Sequence, residues 1–207
     1  KISTSSAAFR RPELIKELIS EFGVDAVTVA IDLDVNPAMP SGYEVYIDGG
    51  RTATGADAVD FAKKVDDFGV KVILPTSKAG DGAKTGYDLP VIRAMAQSCS
   101  AKIVASGGAG KMEHFIEAAE AGAEVLLAAS VFHFGEIAIP DLKNELDKNG
   151  INPEKIYVDV NISENNCISI SKIKLVFVDV HTFEAERAVS IAEEMCGHEI
   201  TVELEEQ

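Results

Sequence analysis

Lys102-Ile103-Val104-Ala105-Ser106-Gly107-Gly108-Ala109-Gly110-Lys111 is the stretch from which this chain is read. A short run suited to a buried strand passes into a glycine-rich turn, and a helical pattern begins at Met112. Glycine has no Cβ, so the backbone can bend sharply and aim several N–H groups at one anion. The helix that follows points its positive dipole end at the same place. Read this way, the turn is an oxyanion cradle at a strand end, and a phosphorylated small molecule is the first substrate class it indicates. The competing reading is a tight strand-to-helix turn with no ligand.

The same rhythm extends on both sides. Strand-like runs fall at Lys1 to Thr4, Ala26 to Ile31, Val70 to Leu74, Lys102 to Ala105 and Glu124 to Ala128. Helical patterns follow them at Pro12 to Phe22, Ala56 to Phe68, Pro90 to Ser98, Met112 to Ala121 and Pro140 to Asn149. Pro12 and Pro140 suit a first helical turn, and Gly23, Gly69, Gly122 and Gly150 stand where helices stop. Short apolar strands alternating with helices mean βα units on a parallel sheet. The connections leaving the strands, Asp32 to Gly55 and Pro75 to Leu89, are long and polar, whereas the returns are short. Ligands of α/β folds gather at that carboxyl end. The fold class is α/β: five parallel units, too few to close an eight-stranded barrel. Units outside this chain complete it, another chain supplies them, or the sheet is open.

After Gly150 the pattern changes. Lys155 to Ile162 and Ile168 to Val180 read as strands, Phe183 to Cys196 as a helix and Glu199 to Glu205 as a strand. The expected division is therefore residues 1–151 as a partial barrel and 152–207 as a small α+β appendage of ββαβ order.

The chain has 207 residues and a formal net charge of −15. Nucleic-acid backbones recruit a surplus of Lys and Arg, so this balance argues against such a partner. Any phosphate must then be held locally, by backbone N–H groups and helix ends. Cys99, Cys167 and Cys196 are odd in number and widely spaced, which suits neither a disulfide framework nor a zinc site and fits a reducing cytoplasm. No apolar run approaches the roughly 20 residues that span a bilayer, so no membrane association is expected. No His/Cys/Asp/Glu cluster has metal spacing, and nothing calls for a cofactor.

Asp32 ends the run Val27-Thr28-Val29-Ala30-Ile31, a favoured place for a general acid or base on this architecture. The alternative is an Asp that caps a turn. Asp34 reads as a loop residue. Thr76 and Ser77, with Gly80-Asp81-Gly82 after them, form a second polar cluster that could hold phosphate or ribose hydroxyls, against the reading of an ordinary Asp-Gly turn. Pro75 cannot donate to a ladder and is expected at a strand end or bulge. Ala129 and Ser130 end the fifth run, and in a closed barrel they would face the Gly107-Gly108 turn. His114 and His133 each stand among apolar neighbours and read as packing or interface residues.

Taken together, Ser3 to Ala8, Val29 to Asp32, Gly49-Gly50-Arg51 with Thr54-Gly55, Thr76-Ser77 with Asp81-Gly82, Gly86-Tyr87-Asp88, Ala105 to His114 and Ala128 to Glu136 resemble the cyclase subunit of imidazole glycerol phosphate synthase over residues 1 to about 151. The resemblance implies the fourth to eighth units of a TIM-type (β/α)8 barrel and a lyase of histidine biosynthesis. Ammonia from a glutaminase partner attacks a phosphoribulosyl-formimino aminoimidazole-carboxamide ribonucleotide, giving imidazole glycerol phosphate and aminoimidazole-carboxamide ribonucleotide. Asp32 matches the second of the family's two acid-base aspartates. The first has no counterpart here. One substrate phosphate would rest on Gly82, Gly107, Gly108, Ala129 and Ser130, and the other on Ser5 and Ser6. Lys1 matches a lysine of the ammonia gate, while Val72 stands where an acidic gate partner is usual. Ala79-Gly80 replaces a common Asp-Arg, and Ala83 a common Thr. The alternative role is a non-catalytic phosphosugar-binding half-barrel that assembles with a complementary half-barrel on another chain.

Overall fold

A computed structural model describes residues 1–152 and the strand Tyr157–Asp159. Its strands are β1 (Ile2–Thr4), β2 (Val27–Val35), β3 (Tyr43–Ile47), β4 (Thr52–Asp57), β5 (Val72–Ser77), β6 (Lys102–Ala105), β7 (Val125–Leu127) and β8 (Tyr157–Asp159). The helices are α1 (Ser6–Arg10), α2 (Glu13–Phe22), α3 (Ala58–Asp67), α4 (Leu89–Ser98), α5 (Met112–Glu120), α6 (Ser130–His133) and α7 (Ile139–Lys148).

β1, β2, β5, β6, β7 and β8 pair in that order, every pair parallel. Each new strand joins the far side of the one before it, so the winding never reverses. A doubly wound sheet has a switch point where the order reverses, whereas a (β/α)8 barrel adds its strands in sequence. The described residues therefore form an incomplete TIM-type barrel, and its ligand end is the whole row of strand carboxyl termini.

Alternation along β2 explains the layers. Val27, Val29, Ile31 and Leu33 are buried, while Thr28, Ala30, Asp32 and Asp34 on the opposite face are half-buried. Burial of each such Val, Ile or Leu contributes about 1.5–3 kcal/mol. Ile15 of α2 and Val59, Ala62 and Val65 of α3 belong to the same core, and both helices lie against β2. The β5 residues Val72, Leu74 and Thr76 pair with Thr28, Ala30 and Asp32, so they share the half-buried face.

Four sequence expectations change. The long connection from Asp32 to Gly55 is not a loop: β2 runs on to Val35, and β3 and β4 follow as an antiparallel hairpin paired to it. Asp34 is accordingly a strand residue opposite Glu44. A short helix, α1, forms directly after β1, where no helix was read. Pro75 lies inside β5 rather than at its end, paired with Ile31. On its other side the β5–β6 ladder stops after Ile73–Ile103 and resumes only as a single bridge, Thr76–Ser106, so the missing N–H falls in an interrupted stretch.

The expected strand at Lys155 to Ile162 is represented by β8, which pairs along β7 with Tyr157 opposite Val125. The segments Ile168 to Val180, Phe183 to Cys196 and Glu199 to Glu205, with Cys167 and Cys196, lie outside the described residues.

Asp57 ties the hairpin to the helix that follows it. Its Oδ1 accepts from the Val59 and Asp60 N–H groups, both at 3.0 Å, capping α3, and its Oδ2 accepts from Ser41 N–H at 2.6 Å. Burial works against the charge, but these donors outweigh it and hold the carboxyl below its ordinary range. Stability from this group is present above its unfolded pKa and is lost as pH falls through the folded one. Asp57→Ala should cost about 1–2 kcal/mol in urea denaturation at neutral pH, with the difference from the parent protein shrinking as the medium is acidified.

Candidate active site at the carboxyl ends of the strands

Asp32 lies near the carboxyl end of β2, paired with Tyr46 of β3 on one side and Thr76 of β5 on the other. Burial is the main influence raising its pKa, and the Asp81 carboxylate adds to it. The Gly50 N–H and the Lys78 ammonium partly offset both. Such a carboxyl keeps its proton to higher pH than a solvated Asp, which suits acid-base work.

The glycine turn after β6 meets the loop after β5 backbone to backbone. Gly86 N–H donates to Gly108 O at 2.8 Å. Gly108 has φ +106°, and a Cβ there would land on the Gly86 carbonyl oxygen. A Cβ on Gly107 would sit 3.1 Å from Ser77 O, and one on Gly110 would sit 2.5 Å from Lys84 O. These glycines thus let two loops interlock, a requirement the protein itself imposes before any ligand arrives. His114 completes the lock. It is buried in the first turn of α5, and its Nδ1 accepts from Gly110 N–H at 3.1 Å. The packing role expected of His114 is what the structure shows. The bond also removes one N–H from the supposed cradle. His133 is exposed and stacks edge-on against Phe134, with ring centroids 4.8 Å apart.

The remaining residues divide by where their polar atoms point. Thr76 shares the face of Asp32. Ser77 does not: it is 3% exposed, and its Oγ donates to Asp88 Oδ2 at 3.1 Å. Alternation along β5 sends it to the helix-covered side, so it braces the loop instead of reaching the mouth. Tyr43 OH donates to Asp88 Oδ1 at 2.6 Å, joining the hairpin to the same brace, and burial and Asp88 together push the Tyr43 hydroxyl upward in pKa. Ser6 Oγ accepts from Asp48 N–H at 2.8 Å, while Arg10 clamps both Asp48 carboxylate oxygens at 2.7 and 2.8 Å. Ser5 precedes α1 and makes no side-chain cap. Asp81 follows β5, its N–H bonded to Ser77 O at 3.0 Å, and Gly82 has φ +72° with open space where a Cβ would be.

The register Val104–Val125 and Ala105–Leu126 brings the residues after β7 alongside the glycine turn. Ala129 and Ser130 open α6 there. Lys84 joins the two regions from above, donating to both Glu136 carboxylate oxygens. Lys1 is exposed and lies at the opposite, amino end, just before β1. Val72 is at that same end of β5.

The segment that carries these strand ends and loops is similar to known proteins. The model of the family described as "Histidine biosynthesis protein" matches residues 1–138. This chain belongs to that family. The matched span runs from β1 through α6 and so includes both interlocked loops. Three curated relatives are each named "Imidazole glycerol phosphate synthase subunit HisF". That of Thermobifida fusca is 48% identical over 153 residues, covering 72% of this chain and 60% of the relative. That of Nocardia farcinica is 45% identical over 150 residues, 70% and 58% of the two chains. The Pyrobaculum aerophilum protein is 48% identical over 151 residues, 73% and 58%. The chain spans about three-fifths of the length of these relatives.

Among the described residues no group of three or more His, Cys, Asp or Glu could hold a metal ion, and no helix is long and apolar enough to cross a membrane. Sequence reasoning passed over Lys78, Glu44 and Tyr43 and gave no role to Asp88. Glu44 is buried and accepts from Asn36 Nδ2 at 2.7 Å and Gly55 N–H at 2.6 Å, donors that hold its pKa down. The alternation Tyr43 to Ile47 was the available signal for this hairpin.

Two outcomes follow from the geometry. Gly108→Val should cost about 2–4 kcal/mol in denaturant melts, because its side chain would collide with the Gly86 carbonyl and force the interlocked loops apart. Asp32 has a raised folded pKa, so its share of stability is present at low pH and is lost as pH rises through that pKa. Discounted for its half exposure, this means that Asp32→Asn should raise Tm by about 1–3 °C at pH 7 and by nothing at pH 3.

Proposed function

We propose that this chain is part of a cyclase of histidine biosynthesis, contributing the fourth to eighth βα units of its barrel and one of its two acid-base carboxyls. The observation that carries the reading is the placement of Asp32 and Thr76 on one face at the carboxyl ends of β2 and β5, the end of the sheet from which the Gly107-Gly108 turn leaves β6 and the Ala129-Ser130 turn follows β7. In this reading the substrate is a bisphosphorylated ribonucleotide. Backbone N–H groups around Gly82, Gly107, Gly108, Ala129 and Ser130 take one phosphate, and Ser5 and Ser6 take the other. Thr76 and Asp81 contact the substrate between them, and Ser77 holds the loop that carries Asp81. Asp32 moves a proton at the closing imidazole ring, its carboxyl poised by burial and by neighbouring charge. A glutaminase subunit supplies ammonia through the barrel, with Lys1 at its entrance.

The pairing of β8 with the outer edge of β7 favours a second reading. That edge is where the first strand closes a complete barrel, and here residues from beyond 151 occupy it. A half-barrel whose edge is covered by its own chain would bind phosphosugars without turnover, and residues 152–207 would then be an edge-covering module.

One experiment separates the two. The 207-residue chain is mixed with a separately expressed half-barrel bearing three amino-terminal units, and ammonia-dependent release of the two products is followed. The cyclase reading expects turnover that falls about 10²–10⁴-fold in Asp32→Asn. Phosphosugar binding without turnover supports the second reading and overturns the first.

A further inference from the structure

Lys78 is the first residue beyond β5, and four contacts fix it. Its backbone N–H donates to Leu33 O at 3.0 Å, extending the ladder with β2 by one bond. Its methylene stem lies across the hairpin turn so closely that a Cβ on Gly50 would be 3.1 Å from Cδ and 3.2 Å from Cγ. Its ammonium sits 3.7 Å from the centroid of the Tyr46 ring and 3.6 Å from Asp34 Oδ2. Tyr46 is the cross-strand partner of Asp32, and Asp34 is the next residue along the same face of β2. The ammonium is therefore held by the two immediate neighbours of Asp32.

That placement has a purpose in charge. The groups facing Asp32 are Asp34 on its own strand, Asp81 and Lys78 from the loop after β5, Thr76 on β5, Tyr46 on β3 and the Gly50 N–H from the hairpin turn. The Asp81 carboxylate makes Asp32 harder to ionise, and the Lys78 ammonium acts the other way. A cation with a freely moving stem would be poorly localised. One seated on an aromatic face and packed over a glycine stays within reach of the carboxylates.

We propose that Lys78 is a positioning residue for Asp32, its ammonium anchored by Tyr46, Asp34 and the Gly50 turn so that Asp32 can give up and take back a proton beside two further carboxylates. The role rests on the reading of Asp32 as the acid-base group; the electrostatic link itself does not require turnover. Its chemistry involves no bond to the substrate. The ammonium balances the charge that appears when Asp32 releases its proton, and the proton goes to the reacting ring or to solvent.

The test is a carboxyl-carbon NMR titration of the full 207-residue chain with labelled Asp, comparing the parent with Lys78→Met and Lys78→Arg. Lys78→Met should raise the proton affinity of Asp32 about threefold to tenfold, a shift of about half to one unit in its midpoint. Lys78→Arg, which keeps the charge, should retain at least half of the difference. If Lys78→Met does not fold, Lys78→Gln carries the same expectation with a shorter neutral side chain. An unmoved Asp32 midpoint in a folded neutral variant overturns the proposal, as does a rise in Lys78→Arg equal to that in Lys78→Met. Loss of the cyclase reading looks different: the chain would bind phosphosugar without turnover while the Asp32 midpoint still moved in Lys78→Met.

Discussion

The parallel ladder between β2 and β5 pairs Thr28 through Leu33 with Val72 through Ser77, and the Lys78 N–H to Leu33 bond carries it one step further. Side chains alternate with a period of two, so this single register decides which polar groups reach the mouth. It puts Thr76 beside Asp32 and turns Ser77 to the helix side, where Asp88 receives it. It also sets Lys78 at the rim next to Asp34. A slip of one residue would exchange Thr76 for Ser77 and carry Ile73 and Pro75 out of the core. The nonpolar face under α2 and α3 therefore specifies the chemistry on the opposite face. Burial of Val29, Ile31, Leu33 and Ile73 fixes the register, and the register fixes the site.

Around that frame the loops are tied to each other more than they are held open for a ligand. Gly86 and Gly108 meet through backbone atoms, His114 holds the turn at Gly110, and Asp88 joins Ser77 to Tyr43. A phosphate-binding turn works when its N–H groups are already oriented, because reorganisation at the moment of binding costs affinity. Interlocking two loops through glycine is one way to obtain that order without charged side chains.

The fold was legible because βα rhythm is a local signal. Apolar runs, stop glycines and first-turn prolines each act within a few residues, and β2, β5, β6, α3, α4 and α5 lie within a few residues of where those signals placed them. The β3–β4 hairpin was not read, because its polar, glycine-bearing turn resembles a long loop until the alternation Tyr43 to Ile47 is weighed. The site was legible only in part for a similar reason. Asp32 and Thr76 followed from strand-end position, which is local. The inward turn of Ser77 depends on register with another strand, the hydroxyl of Ser6 on a hairpin 42 residues away, and the place of Lys78 on a tyrosine and a glycine from that hairpin. None of those partners is visible from the spacing of residues near the site. His114 shows the opposite case: its place among apolar neighbours correctly indicated packing, and only the structure supplied the reason, an acceptor for one glycine N–H.

The charge of the chain makes these local devices necessary. With a formal charge of −15, the net field of the protein opposes an anionic ligand, but salt screens exposed charges over a length of about 8 Å. Within that length the balance is set by particular atoms. Backbone N–H groups at helix starts supply partial positive charge that no carboxylate can neutralise by moving. At the strand end the reverse problem arises, because Asp32, Asp34 and Asp81 gather where a phosphorylated substrate would approach. A flexible surface lysine would be a weak remedy, as exposed ion pairs contribute little. Lys78 is anchored by ring and turn as well as by charge, which places positive charge beside Asp32 at a small entropic cost. Positive charge thus stands at the strand end of an acidic protein without a basic surface, because the fold itself fixes the group that carries it.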